Sequence, residues 1–227
     1  MQNSNVSYYG QSGIFDPAKF TWPVHIIGMG GIGSALFLPL IKLGVKTIHI
    51  WDRDDVEPHN IPCQLIYRTN DIGQSKVQVA FDFAQFMGAE CEVTPHDELV
   101  TADTTLDGVI ISGVDSMTSR QVIWQAIKSN VAKVPFYMDG RIGGEQLELH
   151  CLRPIRYDES QDYADNWLFD DSEALDLPCA ARTVIHPAIV LSGQIIAQLT
   201  RFYRGLAFDK HVLWHLKNNQ NVMEGGE

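Results

Sequence analysis

Short apolar runs alternate with stretches of helical periodicity along most of the chain. Residues 24–28 (VHIIG) form an apolar run closed by glycine, the pattern of a buried strand. Ile32, Leu36, Leu40 and Leu43 then recur at helical spacing. Pro39 lies inside that helix, where its ring and missing N–H predict a kink, and Gly44 closes it. Residues 45–51 (VKTIHIW) alternate as a second strand, completing a βαβ unit. Further on, the pattern predicts helices over 74–87, 118–130 and 186–203. It predicts strands over 91–94, 107–112, 134–138, 146–151 and 211–216, with 139–144 (DGRIGG) as a turn between two of them. Such alternation implies the α/β class: a Rossmann-like, doubly wound, mostly parallel sheet with helices on both faces.

The flanks and one internal stretch break the pattern. Residues 1–21 are polar with scattered Gly and Pro and read as an N-terminal extension draped over the domain. Residues 22–216 read as a single domain, and 217–227 as a flexible tail. Residues 153–178 carry a run of carboxylates from Asp158 to Asp176, opposed only by Arg153 and Arg156, with little periodicity. They are expected to form a long acidic crossover loop or lid, since a long irregular segment inside a compact domain is usually functional.

Composition narrows the function classes. The 227 residues, 45% hydrophobic and 20% charged, suit one soluble domain with a full core. The net charge of −11 argues against a nucleic-acid partner. No apolar run reaches the length of a membrane span, and the polar N-terminus is no secretory signal. Cys63, Cys91, Cys151 and Cys179 are far apart with no CxxC pair, so neither a structural zinc site nor a disulfide framework is expected, and the cytoplasm is the expected compartment. The histidines are scattered, and no histidine metal site is expected.

Gly28-Met29-Gly30-Gly31-Ile32-Gly33 follows the first strand and opens the first helix. Glycines there allow a tight turn and a close backbone approach to a phosphate, which meets the free N–H groups and positive dipole end of the helix. Asp52 closes the second strand, where a carboxylate can accept hydrogen bonds from ribose hydroxyls. NAD, FAD and ATP enzymes all use this unit. The residues that follow point to adenylation: Asp54, Asn60 and Gln64, then Lys76, then Asp115 after the 107–112 strand. A lysine near the α-phosphate stabilises developing charge, and an aspartate at a strand's carboxyl end can hold Mg²⁺ together with substrate phosphates.

Taken in order, GxGGxG (28–33), DxDxVExxN (52–60), Gly73-x-x-Lys76 and Asp115-Ser-x-x-x-Arg120 resemble the ThiF/MoeB/ubiquitin-activating enzyme (HesA/MoeB/ThiF) superfamily, over about residues 22–140 and more loosely the last long helix. The chain looks like a short prokaryotic member. The resemblance implies ATP and Mg²⁺ as cofactors and adenylation of the C-terminal carboxylate of a small ubiquitin-like or sulfur-carrier protein or peptide. It implies a homodimer, and a downstream protein that accepts a thioester. It assigns the phosphates to Gly28, Gly30, Gly31, Gly33 and Lys76, the ribose to Asp52, other nucleotide contacts to Asp54, Asn60 and Gln64, and the metal to Asp115. Arg120 reads instead as a helix-opening residue paired with a nearby carboxylate.

Two departures stand out. Cys63 occupies the place of the arginine that usually precedes the glutamine, and no arginine occurs before Arg53. Arg53, Arg68, Arg141 and Arg182 are the candidate replacements. A thioester would need a reachable, activated cysteine. Cys179, beside Arg182 and ahead of the last long helix, is the first candidate and Cys63 the second, while Cys91 and Cys151 read as core. The alternatives are a nucleotide-binding scaffold without catalysis, which the missing arginines favour, and an NAD-dependent oxidoreductase, which would not need Asn60, Gln64, Lys76 and Asp115.

Overall fold

The computed structural model describes residues 6–173 and 184–225. Its strands are β1 (Val24–Ile27), β2 (Thr47–Trp51), β3 (Glu92–His96), β4 (Val109–Ser112), β5 (Phe136–Gly143), β6 (Gln146–Leu152), β7 (Asp209–His215) and β8 (Gln220–Gly225). The helices are α1 (Gly31–Leu43), α2 (Lys76–Phe86), α3 (Met117–Ser129), α4 (Tyr157–Asn166) and α5 (Ile185–Tyr203). All strands join one sheet in the order β3-β2-β1-β4-β5-β6-β7-β8. The pairings from β3 to β5 are parallel and those from β5 to β8 antiparallel.

Two apolar layers explain the uninterrupted hydrophobic strands. Val109 and Ile111 of β4 face a core built with Leu36, Phe37 and Leu40 of α1, Val77 and Ala80 of α2, and Leu191, Ile195 and Leu199 of α5. Ile110 faces the opposite layer with Ile123, Trp124 and Ile127 of α3 and Tyr163 of α4. A strand covered on both faces has no polar position to show. Ahead of β1, Phe15 and Phe20 are buried, and their rings pack with Tyr203 at the end of α5.

Three local expectations are corrected. The acidic stretch contains a helix, α4. Its period is faint because only Glu159 and Tyr163 are buried: Glu159 accepts from the Arg153 backbone N–H and pairs with its guanidinium, and Tyr163 packs on Trp124 and Tyr137. Residues 220–225 are not a frayed tail but β8, paired with β7 from His215↔Gln220 to Asp209↔Gly225. The chain reverses through Asn219, whose left-handed φ of 50° suits asparagine. The 139–144 turn begins later than expected, since β5 runs to Gly143, which pairs with Gln146. As the helical spacing predicts, α1 holds Pro39 inside it and ends at Leu43, before Gly44. Proline leaves the carbonyl four residues back without its N–H partner; that carbonyl, of Ala35, accepts from Ser192 Oγ of α5 at 3.1 Å. Among the described residues, no helix is long and apolar enough to cross a membrane.

Candidate nucleotide site

The carboxyl ends of β1, β2 and β4 converge. Gly28 leaves β1 with φ 92°, and a Cβ there would sit 2.9 Å from Gly113 O, just past β4. A Cβ on Gly33 would lie 2.0 Å from Gly28 O, so α1 packs against the loop as only glycine allows. Gly30 caps α1 without any side-chain hydrogen bond to its first N–H groups, which leaves them available to an anion.

Asp52 braces this loop from β2. One oxygen accepts from Met29 N–H at 2.7 Å and the other from Asp54 N–H at 2.9 Å. Each oxygen keeps a lone pair for a further donor. Burial raises the Asp52 carboxyl above its ordinary value, with Lys76 and the two N–H groups pulling the other way. Tyr67, for which the sequence offered no signal, donates its hydroxyl to Met29 O at 2.7 Å and fixes the loop from below.

The long connection from β2 to α2 folds back on itself. Val56 and Gln74 share a backbone hydrogen bond, Asp55 bridges Ser75, and Lys76 N–H donates to Asp54 O. This hairpin-like pairing brings Lys76 beside Asp52. The lysine side chain is 8% exposed, and its Nζ is 3.1 Å from Asp54 Oδ2. Asn60, buried in a short 3-10 turn, accepts from Glu57 N–H with its side chain. Gln64 is buried beside the glycine loop, its Nε2 3.9 Å from where a Gly30 Cβ would stand. Its Oε1 is buried without a hydrogen-bond partner. An orphaned acceptor next to a cradle that side chains would fill fits a ligand with hydrogen-bond donors, such as a nucleotide.

Asp115 is exposed just beyond β4. As a free carboxylate at a strand's end it fits a hard divalent cation that keeps most of its waters. Ser116 caps α3 through Ser119 N–H, and Asp171 of the acidic stretch also accepts there, from Met117 and Thr118. The described part of the acidic stretch therefore docks beside Asp115.

Beneath this loop lies a charge network that the sequence did not reveal as a unit. Asp139 of β5 is fully buried and accepts from Ser112 Oγ, Arg120 Nε, Arg141 Nε and the Tyr163 hydroxyl. Arg120 thus pairs with a carboxylate, and its other arm donates to Val114 O next to Asp115. Of the candidate replacement arginines, Arg141 is committed to Asp139 and Arg68 to Asp71, while Arg53 is exposed beside Asp52. Arg182 lies outside the described residues.

The thiols divide similarly. Cys63 is buried and its Sγ donates to His59 O at 3.2 Å; burial pushes its thiol up, as it does for Cys91 and, more strongly, Cys151. None of these is an activated nucleophile. Cys179 lies outside the described residues.

Comparison with known proteins gives these features a context. The sequence model of the ThiF family matches residues 19–218. The sulfur carrier protein ThiS adenylyltransferase of Escherichia coli is 31% identical over 187 residues, covering 77% of this chain and 68% of that protein. The NEDD8-activating enzyme E1 catalytic subunit of Caenorhabditis elegans is 34% identical over 105 residues, which is 44% of this chain but only 24% of that protein. The chain's match to such relatives thus spans about a quarter of their length. Among solved structures, E. coli MccB with ATP superposes with a TM-score of 0.73 at 17% identity, covering 92% of this chain and 65% of that one. PaaA superposes with a TM-score of 0.68 at 18% identity, covering 99% and 85%. At such identities these structures speak for the shared Rossmann-like fold.

Proposed function

The chain belongs to the ThiF family, and from that premise we propose that it is an ATP-dependent adenylyltransferase acting on the C-terminal carboxylate of a small ubiquitin-like or sulfur-carrier protein or peptide. The observation that carries this reading is Lys76, nearly buried and held against Asp54 beside the glycine loop. Hydride transfer would have no use for that cation. In the reaction, a carboxylate oxygen of the acceptor attacks the α-phosphorus, the bond from that phosphorus to the bridging oxygen breaks, and pyrophosphate leaves.

Each part of the site takes a share. The Gly28–Gly33 backbone and the N-terminus of α1 bind phosphate. Asp52 accepts the ribose hydroxyls, while Asp54, Asn60 and Gln64 orient the nucleotide. Lys76 exchanges Asp54 for the α-phosphate as charge builds there. Mg²⁺ on Asp115, when bound, would neutralise phosphate charge. The reading extends to a cytoplasmic homodimer and to a thioester on Cys179 that a downstream protein accepts. A Cys179→Ser variant would then keep the first step and lose transfer.

ATP–pyrophosphate exchange with and without a candidate ubiquitin-like protein or peptide tests it. Exchange should require that protein and should fall by about 100-fold or more in Lys76→Ala and Asp115→Ala, the scale of losing one charge-stabilising group. Exchange unchanged by both substitutions would overturn the reading. A second reading, a nucleotide-binding scaffold, draws on Cys63, whose buried thiol offers no cation where an arginine is usual. It predicts ATP binding with no exchange.

A further inference from the structure

The antiparallel half of the sheet holds a side-chain cluster that the adenylation chemistry does not use. Glu148 and His150 lie two residues apart on β6 and therefore share a face. His211 of β7 is the cross-strand partner of His150. The two imidazoles stack with centroids 4.7 Å apart at 4°, and Trp167 packs on both. Glu148 Oε1 is 2.9 Å from His211 Nε2 and 3.3 Å from His150 Nε2. His150 is 2% exposed, and its Nε2, aimed into this cluster, makes no hydrogen bond. The 3.3 Å approach to Glu148 is therefore close but not aligned for one.

From this geometry we propose that Glu148, His150 and His211 form a binding site for one divalent transition-metal ion of the zinc class. This goes beyond the adenylation reading and is separate from the Mg²⁺ assigned to Asp115. One ligand atom from each residue lies within 4.8 Å of the other two. Tetrahedral zinc, with bonds of about 2.0–2.2 Å to nitrogen and oxygen, sets its ligands roughly 3.3 Å apart; the two carboxylate–imidazole distances of 2.9 and 3.3 Å are near that, and the imidazoles must turn out of their parallel stack to aim both at the ion. The donor set of two imidazoles and one carboxylate suits zinc, cobalt, nickel or iron; magnesium and calcium prefer all-oxygen sets. Glu148 Oε2 faces Arg141 at 3.9 Å, so the guanidinium orients the carboxylate and leaves Oε1 to the ion. Glu148 and His211 are partly exposed, which gives the ion a way in. Three protein ligands leave a coordination position for water, and the ion ties β6 to β7.

The test uses the untagged full chain, stripped with chelator and titrated with Zn²⁺ and with Co²⁺. The expected result is one equivalent bound, a visible Co²⁺ spectrum displaced by Zn²⁺, and a rise in the thermal midpoint. His211→Ala and Glu148→Gln should each weaken binding at least tenfold. His49→Ala, in the other histidine group of the sheet, should leave it unchanged. Glu148→Gln is nearly isosteric, so it keeps the test sound if His211→Ala folds poorly; circular dichroism and ATP binding monitor the fold. No stoichiometric binding at micromolar Zn²⁺, or binding that both substitutions leave intact, would overturn the proposal. The readout is metal binding, so its failure is separable from a failure of the adenylation reading.

Discussion

Asp139→Asn should destabilise the protein by about 3–5 kcal/mol, the cost of breaking a buried ion pair from one side. Asp139 is wholly inaccessible, and its two oxygens serve two guanidiniums and two hydroxyls. The Arg120 and Arg141 side chains are only 6% and 10% exposed, so water cannot replace the lost charge. The new amide would also turn donors toward donors. At about 2–4 °C per kcal/mol for a chain of this size, the thermal midpoint should fall by roughly 6–20 °C. Unfolding followed by circular dichroism at pH 7 gives both numbers. Replacing all three charges together (Arg120→Met, Asp139→Leu, Arg141→Met) should cost less than Asp139→Asn alone, because it leaves neither guanidinium buried without its carboxylate. In the wild type, burial pushes the Asp139 carboxyl up, but Arg120, Arg141 and His150 outweigh it and hold it below the usual range. A depressed folded value means that the contribution is complete above about pH 4 and is lost as pH falls through that value. Arg120 also holds Val114 O, so pyrophosphate exchange should drop as the loop carrying Asp115 loosens. An Asp139→Asn protein within about 1 kcal/mol of wild type, or a triple variant worse than the single, would refute this account.

Three further outcomes follow from the geometry. Gly33→Ala places a Cβ 2.0 Å from Gly28 O, and backbone must move to relieve it; ATP affinity by calorimetry should fall at least tenfold. Ser192→Ala leaves Ala35 O without the donor that replaces the missing Pro39 N–H, a loss of about 1–3 kcal/mol in urea unfolding. Burial and His49 lower His25 to about 4, against a partial offset from Asp107. The unfolded state therefore takes up the proton first, and stability should decline by up to about 3 kcal/mol as pH falls from about 6.5 toward 4. His25→Gln keeps an acceptor for Trp51 Nε1 and should flatten that window while leaving the Asp139 window below it.

What the sequence made legible depends on how each feature is built. The strands of the parallel half are continuous apolar runs because both faces are covered, and the glycine loop announces itself because the close approaches at Gly28 and Gly33 admit no side chain. Motif order singled out Lys76 and Asp115, and the fold brings Lys76 to the loop through the pairing of residues 54–56 with 73–76. α4 and β8 were hidden for opposite reasons. The helix anchors only Glu159 and Tyr163, and the strand is held by backbone pairing that needs no apolar face. Apart from Arg120, whose pairing with a carboxylate was expected, the polar groups that brace the site have no local signature, since they meet through register. Asp139 meets Ser112 because β4 and β5 are paired there, and faces His150 across the β5–β6 pair. His150 meets His211 in the same way across β6 and β7. Asp139 therefore reaches the glycine-loop end of the sheet through Arg120, and the histidine pair through Arg141, which also approaches Glu148.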